Sequence, residues 1–235
     1  MSVRPAAAAS ASMTEALDHA EAAVDAGRPL TGTGFWKAVD RARRNPRLAE
    51  EFADRIAAID RGSFESQVQL RAPVWIGNVA LGAGTGAGVL AVALAPGLPG
   101  LARSVVFLGG FGALAVTTHS LTHWVVGRAM GMRFTHYFLG GPPPPRPGLK
   151  IDYSTYLRVP PKRRALMHAS GAVVTKLIPF ALIPVAVAQG QPGWLLALLV
   201  AAGAGQIVTD VAFSTKTSDW KKVRRELRAA KIYSG

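Results

Sequence analysis

The chain has 235 residues, 49% of them hydrophobic and only 17% charged, with a formal net charge of +13 and no cysteine. The missing cysteines exclude disulfides, thiolate metal sites and cysteine nucleophiles. No nucleic-acid-binding motif accompanies the positive charge, so nucleic acid is not an expected partner, and basic residues flanking membrane helices account for the excess.

Soluble domains carry about 25% charged residues, and the deficit here is uneven. The charges are dense before Arg71 and then collect in short stretches between long apolar runs. The start does not read as a secretory signal. Arg4 precedes a short alanine run and then Glu15, Asp18 and Glu21, with no apolar core of that type.

Residues 1–12, rich in Ala and Ser, read as disordered. Residues 13–26 predict a helix, with Thr14 as a cap and Gly27 with Pro29 as the stop. Residues 34–61 predict one or two more helices, with Val39, Leu48, Phe52, Ile56 and Ile59 as the apolar stripe and Asn45-Pro46 as the break. Residues 1–72 hold ten basic and ten acidic side chains and read as a cytoplasmic helical segment without chemistry of its own.

Four apolar runs follow, at about 73–95, 101–126, 165–188 and 193–214. Each has the roughly 20 residues needed to cross the hydrocarbon core. Pro96 to Gly100 and Gln189 to Gly193 form short turns between them. Basic residues number ten before the first run, one (Arg103) near the first turn, eight from Arg128 to Arg164, none in the second turn and seven from Lys216 to Lys231. That alternation predicts cytoplasmic termini and a cytoplasmic central loop. The fold class expected is therefore an all-α polytopic protein of the inner (plasma) membrane: residues 1–72 cytoplasmic, 73–214 the membrane domain, and 215–235 a basic cytoplasmic tail.

Gly82, Gly84, Gly86 and Gly88 give the first run two small-residue pairs at four-residue spacing, a helix-packing signal. Ionisable groups inside the runs are few: His119 and His123 in the second, His168 and Lys176 in the third, Asp210 in the fourth. Such groups are costly in a membrane and mark function. His119 and His123, at i and i+4, share one helix face and can bind one metal ion. With cytoplasmic termini, these histidines and Asp210 fall at similar depth near the cytoplasmic side, a possible three-ligand set. Spacing alone leaves open an interhelical polar cluster, with Lys176 on Asp210 and the histidines on Thr117, Thr118 or Thr122.

The segment His119-Ser120-Leu121-Thr122-His123, followed by Gly127, Arg128, Gly131 and then Phe134 to Gly141, resembles the zinc motif, turn and strand of the site-2 protease family of intramembrane metalloproteases. Ala169-Ser170-Gly171-Ala172 is similar to the Ala-Gly-Pro element that opens the family's next helix, and Asp210 stands where a later helix supplies an aspartate ligand. The resemblance spans about residues 101–215 and implies zinc on His119, His123 and Asp210. It also implies a departure, because the family's general-base glutamate is Ser120 here, and a serine hydroxyl does not accept that proton near neutral pH. Val211 replaces the glycine that often follows the aspartate, and Ala172 replaces the proline.

The expected function is a zinc-binding, non-proteolytic relative that binds or regulates a transmembrane partner. The alternatives are an active zinc metallopeptidase with another base, such as His168 or Asp152, and a small transporter or proton relay through Lys176, Asp210 and the histidines. His168 reads equally as a fourth ligand or an interfacial histidine, and Asp152 most simply as a contact for Lys150 or Arg158. The proline-rich stretch Pro142 to Pro147 reads as a stiff linker, and Lys162-Arg163-Arg164 as an anchor to lipid headgroups. Asp219 to Lys231 reads as a basic amphipathic surface helix with Trp220, Val223 and Leu227 on one side.

Overall fold

The structure, a computed structural model, describes residues 4–140, 145–212 and 218–233. Pro142 to Pro144 of the proline stretch, Lys216, and the last residues of the expected fourth span lie outside the described residues. The chain is mostly helical, and its residues group into two compact units.

The first unit comprises residues 1–74, 130–164 and 226–235. Helix α1 spans Arg4–Asp25, α2 Phe35–Arg44 and α3 Pro46–Gln67. Residues 4–12, expected to be disordered, belong to α1; alanine is the strongest helix former, and the run continues the helix N-terminally. Thr14 is consequently no cap, and its hydroxyl donates back to the Ser10 carbonyl. The Asn45-Pro46 break is as expected: the Asn45 side chain accepts from the Arg47 and Leu48 amides, and Pro46 starts α3. Met13, Leu17, Phe35, Val39 and Ile56 are buried in this unit.

A small antiparallel sheet adds to the helices, in the order β1 (Leu70–Pro73), β2 (Phe134–Gly140), β3 (Arg146–Ile151). In register, Leu70 faces Leu139 and Phe134 faces Ile151. Pro147, in the proline stretch, lies within β3 on the sheet edge, where a missing amide is tolerated. Asp152 caps the short helix α6 (Tyr153–Tyr156) by accepting from the Ser154 amide and hydroxyl. Its expected partners are elsewhere, Lys150 on Asp60 and Arg158 on Glu50 and Asp54. Arg164 is a correction to the expected lipid anchor. It is fully buried and, with Arg43 and the Tyr156 hydroxyl, holds the Glu226 carboxylate; Lys162 and Arg163 remain exposed.

The second unit comprises residues 75–129 and 165–225. Among the described residues, four helices are long and apolar enough to cross a membrane: Val74–Gly97, Gly100–Ala129, Pro161–Ala188 and Gly193–Asp210. They are α4 (Val74–Leu94, then a 3₁₀ turn), α5 (Gly100–Ala129), α7 (Pro161–Ala188) and α8 (Gly193–Ala212). Their outer faces expose large apolar side chains, among them Val79, Leu101 and Val116 at 66–72%, as a lipid-facing surface requires. The chain is a multi-pass membrane protein.

Val92, Phe107, Leu182, Leu195 and Leu199 form the shared core of these helices. The two glycine pairs have separate fates. Gly88 packs on Gly110, where an added Cβ would lie 3.0 Å from the Gly110 carbonyl, and Gly84 abuts Thr117. An added Cβ at Gly82 or Gly86 meets no atom within 4 Å. Arg103, the lone cation of the first turn, donates to the Gln189 carbonyl, and Gln189 donates to the Val92 carbonyl. The two short turns are thus tied together at one end of the bundle. Helix α9 (Asp219–Tyr233) has its first residues, through Arg225, in this unit. On that helix Val223 is buried and Leu227 exposed, so the expected apolar stripe is split.

Candidate metal centre

The site lies wholly in the second unit. The pitch of α5 stacks His119 and His123 on one face, their rings edge to face with centroids 4.8 Å apart. Helix α7 comes directly against them at Gly171. A Cβ there would stand 2.5 Å from His123 Nε2 and 2.8 Å from the His119 carbonyl, so only glycine admits this approach.

Helix α7 also fixes both rings. His123 Nδ1 lies 2.7 Å from the Met167 carbonyl, which can only accept, so this nitrogen carries a proton. His119 Nδ1 lies 3.0 Å from Thr175 Oγ1. The Thr175 hydroxyl spends its own proton on the Gly171 carbonyl at 2.8 Å, so here too Nδ1 donates. Both Nε2 atoms are left to face a common point, the outer-shell arrangement typical of metal-binding histidines.

The carboxylate at that point is Asp219. Its Oδ2 lies 3.3 Å from His119 Nε2 and 3.2 Å from His123 Nε2, and its Oδ1 accepts from Lys222 Nζ at 3.0 Å. Burial pushes the Asp219 carboxyl up, but the two histidines and the Lys222 ammonium outweigh it and hold the group well below the usual carboxylate range. Asp219 is therefore ionised. Two ring nitrogens and a carboxylate oxygen, all within 4.8 Å of one another, form a cluster able to hold a metal ion.

The structure brings together His119 and His123 as the sequence pairs them, and places Asp210 on other partners. Asp210 forms an ion pair with Lys176 and accepts from Trp220 Nε1 at 3.0 Å. That is the interhelical pair the sequence offered as an alternative. The threonine part of that alternative differs: Thr117, Thr118 and Thr122 turn their hydroxyls to carbonyls of their own helix, and His119 meets Thr175 instead. Ser120, between the histidines on α5, is half-buried. His168 is buried beside the cluster, with His123, Asp219, Lys222 and Arg225 as neighbours.

Asp219 escaped the sequence reading because it opens a basic surface helix beyond the last span. A signal was present nonetheless. The second unit contains two carboxylates in all, Asp210 and Asp219, so a third ligand from within it had only two candidates.

No family model, curated protein or solved structure matches the chain. Fold and site define its class: a multi-pass membrane protein with a His–His–Asp cluster capable of holding a metal ion.

Proposed function

We propose that the protein is a zinc-binding relative of the site-2-type intramembrane metalloproteases that has lost hydrolysis and binds or regulates a transmembrane partner. One observation carries the metal reading. Zinc bound at about 2.0–2.1 Å in a tetrahedron sets its ligand atoms roughly 3.3 Å apart, and Asp219 Oδ2 stands 3.2 and 3.3 Å from the two Nε2 atoms. Three potential ligand atoms so placed have the spacing zinc would impose, and the Nδ1 hydrogen bonds already aim both rings. His119, His123 and Asp219 would hold the ion, with Asp219 taking the carboxylate role that the family resemblance suggested for Asp210.

Zinc would supply Lewis acidity; proton transfer falls to the chain. Ser120 offers no base, Asp219 is committed to the histidines and Lys222, and Asp210 to Lys176 and Trp220. Since the unit has no further carboxylate, a binding role follows better than a hydrolytic one. The distribution of basic residues favours cytoplasmic termini and a cytoplasmic 130–164 segment, with the site near the cytoplasmic side.

Purified wild-type protein is expected to retain about one equivalent of zinc and to leave membrane peptides uncut, while Ser120→Glu tests whether a restored base brings cleavage. Absence of zinc from the purified protein and no uptake on titration would sink the metal reading. Chelator-sensitive cleavage by the wild type would instead favour an active peptidase, with His168 as the candidate base.

A further inference from the structure

The Lys176–Asp210 pair lies among the membrane helices, where charges are kept for a purpose, yet neither residue joins the histidine cluster. The link is Trp220. Asp219 and Trp220 are consecutive residues of the first turn of α9, and side chains of consecutive helical residues leave the axis about 100° apart. Asp219 reaches the histidines of α5, and Trp220 donates its indole N–H to Asp210 Oδ2 of α8 at 3.0 Å. Lys176 of α7 completes the group: it pairs with Asp210, donates to the Ala172 carbonyl at 3.1 Å, and lies 5.9 Å from the centre of the Trp220 ring.

The first turn of α9 is thereby held by two side chains pointing in different directions. A rotation that takes Trp220 off Asp210 also swings Asp219 away from the two Nε2 atoms. Lys176 is anchored on Ala172, next to the Gly171 that packs on His123. The same stretch of α7 therefore backs the histidines and fixes the ion pair.

We propose that Lys176, Asp210 and Trp220 are positioning residues that set metal affinity by holding Asp219 over the histidine pair; the inference rests on the metal-centre reading above. Outer-shell groups of this kind typically contribute about 10–100-fold to metal affinity.

The test is titration of the full chain, purified in detergent micelles, with zinc and with cobalt(II), whose visible absorption reports ligand number and geometry. Trp220→Phe keeps an aromatic ring and removes the indole N–H together with the five-membered ring that carries it; it is expected to weaken binding about 10-fold and to change the cobalt spectrum. Asp210→Ala should do the same. Asp210→Asn, which keeps an oxygen for the indole, should restore most of the affinity. A pair serving only to hold helices together would lower thermal stability while leaving affinity and spectrum at wild-type values. If Asp210→Ala does not fold, Trp220→Phe against wild type decides the matter alone. Wild type that binds neither metal refutes the metal centre itself. Wild type that binds both, with Trp220→Phe indistinguishable from it in affinity and spectrum, overturns the positioning role and leaves the centre standing.

Discussion

The two units treat charge in opposite ways. In the first, ion pairs are many and largely solvent-exposed. Arg158 spreads over Glu50 and Asp54, and Arg55 over Asp18 and Glu21, so each cation has a second partner when one is lost. Glu226, fully buried between Arg164 and Arg43, and Asp60, buried against Lys150, are the exceptions. In the second unit there are two carboxylates, and both are committed, Asp219 to two histidines and Lys222, Asp210 to Lys176 and Trp220. Where water solvates every charge, an ion pair says little about function. Inside the membrane spans, where surroundings exclude charge, the Lys176–Asp210 pair points to a role.

Four substitutions, and a fifth as a control, sharpen this contrast. Glu226→Ala should be the most damaging, because it leaves Arg164 and Arg43 buried without their shared carboxylate. A loss of roughly 3–5 kcal/mol is expected, read as a fall in the denaturation midpoint of the purified protein. Asp219→Ala should spare the fold and lower zinc affinity by about 100-fold or more, since outer-shell changes alone reach 10–100-fold. Unaltered affinity in a competition titration would show that Asp219 is no ligand.

Gly171→Ala should weaken zinc about 10-fold or more by the same comparison, because the new methyl would occupy the space beside His123 Nε2. Gly86→Ala, where a Cβ meets no atom within 4 Å, is the matched control and should bind as wild type. Equal binding by both glycine variants would mean that the helix approach at Gly171 is not what shapes the site. Arg158→Ala should cost the least, under about 1 kcal/mol, without effect on zinc. Its pH dependence has a definite sign. The Arg158 hydrogen bond holds the Asp54 carboxyl below its ordinary value. The stabilisation is present above the unfolded carboxylate pKa and is lost as pH falls through the lowered folded value. The difference between wild type and Arg158→Ala should therefore shrink in acid, and a gap that widens there would contradict the assignment.

The sequence made legible whatever depends on local pattern. Hydropathy located four spans, Asn45-Pro46 separated α2 from α3, and the i, i+4 spacing put His119 and His123 on one face. It was silent where contacts join distant segments. Strands β1 and β3 are four and six residues long, carry Arg, Pro and Gly, and exist through pairing with β2; only β2, through the family resemblance, was expected. Arg164 reads as an interfacial cation until Glu226, far along the chain, closes on it. The same holds for the site: depth along the last span favoured Asp210, whereas the chain returns after that span and delivers Asp219.

That return has a consequence for biosynthesis. Both histidines sit on the second span, and the carboxylate that meets them is translated only after the fourth. Each span carries the growing chain across the bilayer once, so Asp219 arrives on the histidines' side only when the third and fourth spans have both been threaded correctly. A chain that skips one of them strands the aspartate on the opposite face, with no route to the ring nitrogens. The His–His–Asp cluster can therefore assemble only in a molecule whose third and fourth spans are both in place.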